Sequence, residues 1–553
     1  MIGHMSRSQR RELAAITGLA IVLTAFLTYP VLFRMTNAAR VDSFDGQFGI
    51  WSVAWVARTI VTDPAGLFDT NMFYPHRNTL AFGEGNIGAG ILAVPVYWLS
   101  GNAVLAHNSV MVISFVLSVL GTFYLVRHLT GSPHAAIAPA IAYAFCPYVF
   151  SHFPHIVLLT LGGIPFSMLA FHRLVERQTA GRAVTLGAVL GAQGLASGYY
   201  GIFAGLSVGL GTLYFAIARG LWRRRSYWGW VAAAALVSIA IVLPFLRPYL
   251  ELQRDTGFAR PLEESYALGA NWSAYLTSAA WAHRWLLPYL PPWKEVLFPG
   301  ALATVLGLVG AWRGTRPTEA RSTRDVAGFY VLLTGLALWA SFGPQAGLYL
   351  LMYEWLPTFS LLHAPSRFGV VVVLGLSVLA GFAIEHAARS RPVQHRRAIG
   401  FVLALVATAE LTGIPWRWTE LPPRARAYTM LRMLPRGVVT EFPFFWRRGD
   451  FPRHAAYLLN STYHWQPLVN GYGDFIPTDF REMVDDLGLF PTERGFERLR
   501  ERDVRYLVFH LDQYDRAARR RLVERDLVRY EAYLRPLVRA GDVWLYEIID
   551  WPG

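Results

Sequence analysis

The sequence predicts an α-helical polytopic membrane protein of about eleven transmembrane helices, followed by a C-terminal extracytoplasmic α/β domain. Three observations carry this. The 553 residues are 54% hydrophobic and 16% charged, where a soluble globular protein carries about 25% charged residues. The basic residues fall in short clusters at alternate connections between apolar runs. The last 135 or so residues are instead polar, long enough for a small domain of their own.

The first apolar run, residues 13–33, follows Arg7, Arg10 and Arg11. It is long enough to cross a bilayer and lacks a small-residue cleavage site, which predicts a retained span with a cytoplasmic N-terminus. Residues 34–102 then form a large first outer loop. Its apolar stretch at 86–100 is short and interrupted by Pro95. Counted as a span it would put every later arginine cluster on the wrong side, so it is expected to be a re-entrant or interfacial helix. Further spans follow at 103–126, 134–150, 155–172, 183–199, 201–218, 228–248, 297–312, 326–341, 367–387 and 398–415. The clusters at 127–128, 173–182, 219–225, 313–324 and 389–397 then all face the cytoplasm, as the positive-inside rule requires. The same parity puts 248–296, 342–366 and the tail on the outer side, with domains at 1–415 and 416–553. Within the tail, β-type runs at 438–442, 504–509 and 543–548 accompany an Arg/Glu-rich helical stretch at 516–533.

The net charge of +14 resides in these loops, so it points to membrane topology and not to nucleic acid. Lys294 is the only lysine; the remaining basic charge is arginine, which burial does not neutralise. Cys146 stands alone, which excludes an intramolecular disulfide and a cysteine metal site. No glycine-rich phosphate loop follows a predicted strand and no nucleophile elbow is present, which argues against a cytoplasmic nucleotide-sugar site.

Ionisable groups at a membrane face are costly unless used, which directs attention to the outer loops. Asp42 and Asp45 lie just after the first span, and Glu84 and the Phe73-Tyr74-Pro75-His76-Arg77 segment return to the same depth. Either aspartate can alternatively cap the following helix, Asp42 with the stronger case; Glu84 reads equally well as an interfacial surface acid. His152 and His155 flank Pro154 between two spans. Their spacing suits hydrogen bonding to sugar or phosphate, or metal ligation, or satisfied histidines at a helix boundary. Arg367, Arg247, His283, Arg284 and Lys294 offer outer positive charge; snorkelling to lipid headgroups is the competing explanation. Tyr463 to Asp474 is the densest polar and aromatic cluster of the tail, suited to acceptor recognition or to a packed loop.

Several motifs occur in a characteristic order. An acid follows the first span, Trp51 and Trp55 lie on one helix, and Asp63-Pro64 precedes Phe73-Tyr74-Pro75. His152-x-x-His155, Gly198-Tyr199-Tyr200-Gly201, Glu295-x-x-Phe298-Pro299-Gly300 and Pro365-Ser366-Arg367-Phe368 follow. This order resembles the polytopic glycosyltransferases of the GT-C fold, the class that includes protein O-mannosyltransferases and lipid A aminoarabinose transferases. The resemblance implies a GT-C-like membrane domain that moves a sugar, with inversion, from a polyprenyl-phosphate donor to a glycan, lipid or protein acceptor on the periplasmic face of a bacterial inner membrane. It further implies a catalytic carboxylate in the first loop. Asp45 is favoured over Asp42 because its spacing to Trp51 fits the class, although Asp42-x-x-Asp45 departs from the adjacent acids of many members. Glu84, His152, His155, Tyr199, Arg284, Lys294 and Arg367 are then substrate-binding candidates, Arg367 for the donor phosphate. Members of the class differ in their use of a divalent metal, and the Trp-Trp-Asp motif of oligosaccharyltransferases is absent, so cofactor and metal dependence stay open. A lipid or solute transporter and a noncatalytic assembly protein are the rival readings.

Overall fold

A computed structural model describes residues 6–552 apart from Trp446 and Arg448. The chain divides into two compact units. The first comprises Met1–Phe33, Val110–Arg247 and Gly257–Trp416, the second Arg34–Ser109, Pro248–Thr256 and Arg417–Gly553.

The first unit is helical. Across the described chain, five helices are long and apolar enough to cross a membrane: Ala103–Thr130, Ile156–Glu176, Gly198–Ala218, Arg225–Thr256 and Pro365–Ala388. Other expected spans depart from that standard for visible reasons. The stretch at 134–150 is broken at Cys146-Pro147 into helices Ile137–Ala144 and Pro147–Ser151, because proline cannot donate within a helix. Helices Arg7–Leu27, Arg321–Ser341 and Val393–Leu411 begin within their arginine-bearing ends, so polar residues share the helix with the apolar run.

Helix Gly369–Ala388 is buried along nearly its whole length. It packs against Ala301–Gly314 through small residues. A Cβ on Gly310 would fall 1.8 Å from the Leu379 carbonyl oxygen, and one on Gly307 2.9 Å from the Leu376 side chain. Without a hydrophobic driving force between helices in lipid, such close backbone approach supplies the packing. The end of the unit is tied to its start: Trp416 donates from its indole to the Leu27 carbonyl at 2.8 Å and from its backbone to Tyr29 at 3.0 Å.

The second unit contains a four-stranded sheet of β3 (Val438–Phe442), β4 (Val504–His510), β5 (Leu534–Ala540) and β6 (Val543–Ile548), in spatial order β3-β4-β6-β5. β3 and β4 are parallel, and the remaining pairs antiparallel. The three strands expected from sequence form. β5 escapes the pattern because arginines at 535 and 539 and Pro536 interrupt its alternation. The 516–533 stretch is helical in pieces, Arg516–Arg521 and Leu527–Arg529 flanking a π turn.

The first outer loop is part of this unit. The two-residue strands β1 (Ala38–Ala39) and β2 (Thr419–Glu420) pair. Leu468 exchanges backbone hydrogen bonds with Asn71 at 2.6 Å and Tyr74 at 2.8 Å. Phe48, Trp51, Met72, Phe73 and Phe82 share one core with Phe442, Phe444, Phe480 and Phe509. The stretch expected to be re-entrant forms helix Ile87–Ser100. It lies against helix Phe44–Thr62, where a Cβ on Gly90 would sit 2.4 Å from Val56 and Trp98 donates to the Ala57 carbonyl at 3.0 Å.

Candidate functional site

The first-loop acids lie in the second unit, at the start of helix Phe44–Thr62. Ser43 occupies the N-cap position and makes no side-chain cap. Asp42 does not cap either, although of the two acids it had the stronger capping case: Arg40 binds it through a fork of 2.9 and 3.2 Å. That guanidinium, through its hydrogen bonds first, holds the Asp42 carboxyl below its ordinary range against the opposing effect of burial. Asp45 is inside the first helical turn, where the helix dipole favours a carboxylate. Its Oδ1 accepts a 2.9 Å hydrogen bond from the Tyr472 hydroxyl. Gly46 permits the tight entry, since a Cβ there would meet the Arg40 carbonyl oxygen at 2.1 Å.

Glycines also bring the 471–475 loop into place. A Cβ on Gly471 would strike the Phe73 ring at 2.5 Å and one on Gly473 the Phe82 carbonyl at 2.7 Å. Phe475 donates to that same carbonyl at 2.8 Å, and the Tyr472 ring packs edge-on to Phe48. Glu84 is half-buried beside this crossing. Its charge and that of Asp474 both act on the Tyr249 hydroxyl, which accepts the Gly85 N–H at 3.1 Å. Glu84 and Asp474 therefore meet around Tyr249, and Asp45 meets the tail at Tyr472, so the first-loop acids and the tail share one aromatic-framed region of this unit.

The first unit holds the cationic group. Arg367 lies in the Pro365–Phe368 turn that opens the central buried helix. Its guanidinium carbon sits 4.1 Å from the centroid of the Tyr199 ring, a stack that orients the fork as well as attracting it. Ser197 starts the Tyr199 helix by accepting from the Tyr200 N–H. The Tyr199 hydroxyl accepts the His363 backbone N–H at 2.8 Å and shares a hydrogen bond with His363 Nδ1 at 2.9 Å. Burial first, then the charges of Arg260 and Arg367, press the His363 imidazole down to about 3.

Glu295 completes this group. Its Oε2 lies 3.4 Å from His152 Nε2, and Oε1 accepts its neighbour's Val296 N–H at 2.9 Å. Burial opposes ionisation, but the His152 contact and the Arg367 charge outweigh it and keep the Glu295 carboxyl below its usual value. His152 Nδ1 donates to the Tyr148 carbonyl at 2.8 Å, so the Glu295 contact completes an ion pair only when both ring nitrogens are protonated. His155 is adjacent, with ring centroids 5.8 Å apart. Residues 152–154 form a turn and not a helix, so the pair does not present the one-faced spacing of helical metal ligands. Among the described residues no group of three or more His, Cys, Asp or Glu is arranged to hold a metal ion.

Two of the expected cations are engaged in their own loop. Arg284 lies over the Trp281 ring at 3.7 Å and donates to the Ala279 carbonyl; Lys294 donates to the Tyr266 carbonyl at 3.0 Å. Both are exposed. His283 pairs at 3.1 Å with Glu410, whose carboxylate accepts the Ala301 and Leu302 N–H groups at the start of helix Ala301–Gly314. Sequence reading passed over His363, Glu295, Arg260 and Tyr472 as site residues. Glu295 and Tyr472 stood inside motifs already singled out, whereas His363 and Arg260 are isolated outer-loop residues whose meaning comes from their neighbours.

No protein-family model and no curated protein sequence matches the chain. Solved structures do. Arabinofuranosyltransferase AftD from Mycobacteria is similar at 17% identity and TM-score 0.60, over 98% of this chain and 41% of AftD. ArnT from Cupriavidus metallidurans is similar at 14% identity and TM-score 0.51, over 98% of both chains. This chain thus spans well under half the length of AftD and nearly all of ArnT. These likenesses establish the fold: the chain has the GT-C fold of membrane glycosyltransferases.

Proposed function

We propose that the protein is an inverting glycosyltransferase that moves a sugar from a polyprenyl-phosphate donor to a glycan, lipid or protein acceptor on the periplasmic face of the bacterial inner membrane. Asp45 is the general base. It takes the proton of an acceptor hydroxyl as that oxygen bonds to the anomeric carbon, and the bond from that carbon to the lipid phosphate breaks on the opposite face. The phosphate is a good leaving group, so no general acid is needed. Arg367 receives the negative charge that develops on it. Tyr199 and His363 hold that guanidinium in orientation, and Glu84, His152 and His155 contribute polar contacts to the substrates. The catalytic unit corresponds to residues 1–415, with the N-terminus cytoplasmic and the 416–553 portion periplasmic.

The observation that carries the reading is the Asp45 carboxylate, set in the first turn of a helix directly after the first hydrophobic helix and hydrogen-bonded by the Tyr472 phenol. The GT-C fold supports it. The test is incubation of the purified full chain with labelled polyprenyl-phosphate sugar and candidate acceptors. A transferase releases lipid phosphate and labels the acceptor, a carrier moves the lipid intact, and an assembly protein does neither. Asp45→Asn removes the base while keeping its volume, with an expected loss of about 10²- to 10⁴-fold in transfer and near-normal donor binding. Wild-type turnover in that variant overturns the assignment.

A further inference from the structure

A separate cavity of about 550 Å³ opens within the first unit, inside the range of roughly 300–1,000 Å³ of ligand pockets. One wall is helix Arg7–Leu27, contributing Ile16, Leu19 and Leu23. The facing wall is helix Val393–Leu411, contributing Phe401, Ala404 and Leu405. Phe401 and Leu405 are 62% and 54% exposed, so this trough is open along its side. Both helices run away from the same polar mouth. From Glu12 to Leu23 the wall rises about 17 Å, close to half of the ~30 Å hydrocarbon core. The trough thus matches the depth of one bilayer leaflet.

The mouth is polar and carries excess positive charge. Glu12, Ser132, His134, Arg396 and Arg397 line it. Glu12 is neutralised by Arg127 at 2.9 Å. Glu385, beside the mouth, accepts from Ser132 and lies 3.2 Å from His134. Arg396 spends Nε and Nη2 on the Arg391 and Arg389 carbonyls and keeps its charge. Arg397 is exposed and pairs with no carboxylate among the described residues. An apolar trough one leaflet deep, capped by arginine charge, is complementary to an acyl chain that ends in a phosphate.

We infer that this groove binds an anionic phospholipid of the adjoining leaflet, one acyl chain between the two helices and its phosphate on Arg397 and Arg396. The residues are distinct from Arg367 and its neighbours, and the inference does not depend on the proposed transferase activity. The lipid here is a bound partner and not a substrate.

The test is native mass spectrometry of the full chain, titrated with phosphatidylglycerol and with phosphatidylcholine of the same acyl chains. One basic residue at an anionic lipid surface is worth roughly fivefold in binding, so two predict about a 25-fold preference for phosphatidylglycerol. In the double variant Arg396→Gln/Arg397→Gln the preference falls to near unity. Ala404→Phe fills the trough and weakens both lipids about tenfold or more. Equal retention of the two lipids by the wild-type chain overturns the inference without reference to any variant, as does a preference that survives in the double variant.

Discussion

The Tyr472 hydroxyl donates to Asp45 Oδ1 at 2.9 Å across 427 residues of sequence. A first-loop acid and the tail loop thereby act as one element, held by Phe48 beneath the tyrosine ring and by the glycine contacts at 471 and 473. In Tyr472→Phe the ring packing is kept and only the hydrogen bond is lost. A hydrogen bond to a charged group is worth about 1.5–3 kcal/mol, so transfer should fall roughly 10- to 100-fold, less than in Asp45→Asn. Combined with Asp45→Asn the tyrosine change should add little. Steady-state rates of the two single variants and the double variant check this, and additive losses exclude the coupling.

Gly46→Ala tests the entry to the same helix. Alanine ordinarily stabilises a helix interior over glycine by about 1 kcal/mol. Here the Cβ would meet a backbone oxygen at 2.1 Å, and backbone cannot rotate aside. The variant should therefore melt earlier and lose transfer, because Asp45 is its neighbour. A melting temperature at or above wild type would contradict the packing at Arg40.

Arg367→Gln should raise the Michaelis constant for the lipid donor about 10- to 100-fold, the worth of a charge-assisted bond, and lower the maximal rate as well. Arg367→Lys should recover only part, since an ammonium keeps the charge but lacks the planar fork and the fit over Tyr199. Unchanged donor affinity in both variants would place Arg367 among residues that merely meet lipid headgroups.

Acid should destabilise the second unit through two buried histidines. Burial lowers His454 to about 4 and His464 to about 3, from 6.5. Above 6.5 both rings are neutral in folded and unfolded chains, and their contribution is complete. As pH falls toward 4 the unfolded chain takes up protons that the native rings refuse, so stability declines with falling pH. Melting temperatures between pH 7 and 4.5 should show that slope. It should be shallower in His464→Gln, which can still accept the Gln466 N–H that His464 Nδ1 takes at 3.0 Å. Identical slopes would remove His464 from the account.

Much of the architecture was legible in the sequence because lipid imposes a strong one-dimensional signal. Apolar length and arginine placement are local properties, so the runs behind Ala103–Thr130, Gly198–Ala218 and Arg225–Thr256 could be read directly, as could the β3, β4 and β6 runs; the interruption expected at Pro95 did not form, since helix Ile87–Ser100 runs through it. The first-loop acids and Arg367 stood out because charge beside an apolar run is conspicuous. What only the tertiary structure decided was which distant residues meet. Asp42 and Asp45 are indistinguishable by type, and Arg40 claims one while Tyr472 reaches the other. His363 acquires its neutral state from burial and from Arg260 and Arg367, none of which is adjacent enough to announce it. The first outer loop packs with the tail through Leu468, Phe73 and Phe82. Side-chain identity and helical period are written in neighbouring residues, but pairing across hundreds of positions follows from packing and hydrogen-bond satisfaction, which exist only once the chain has closed on itself.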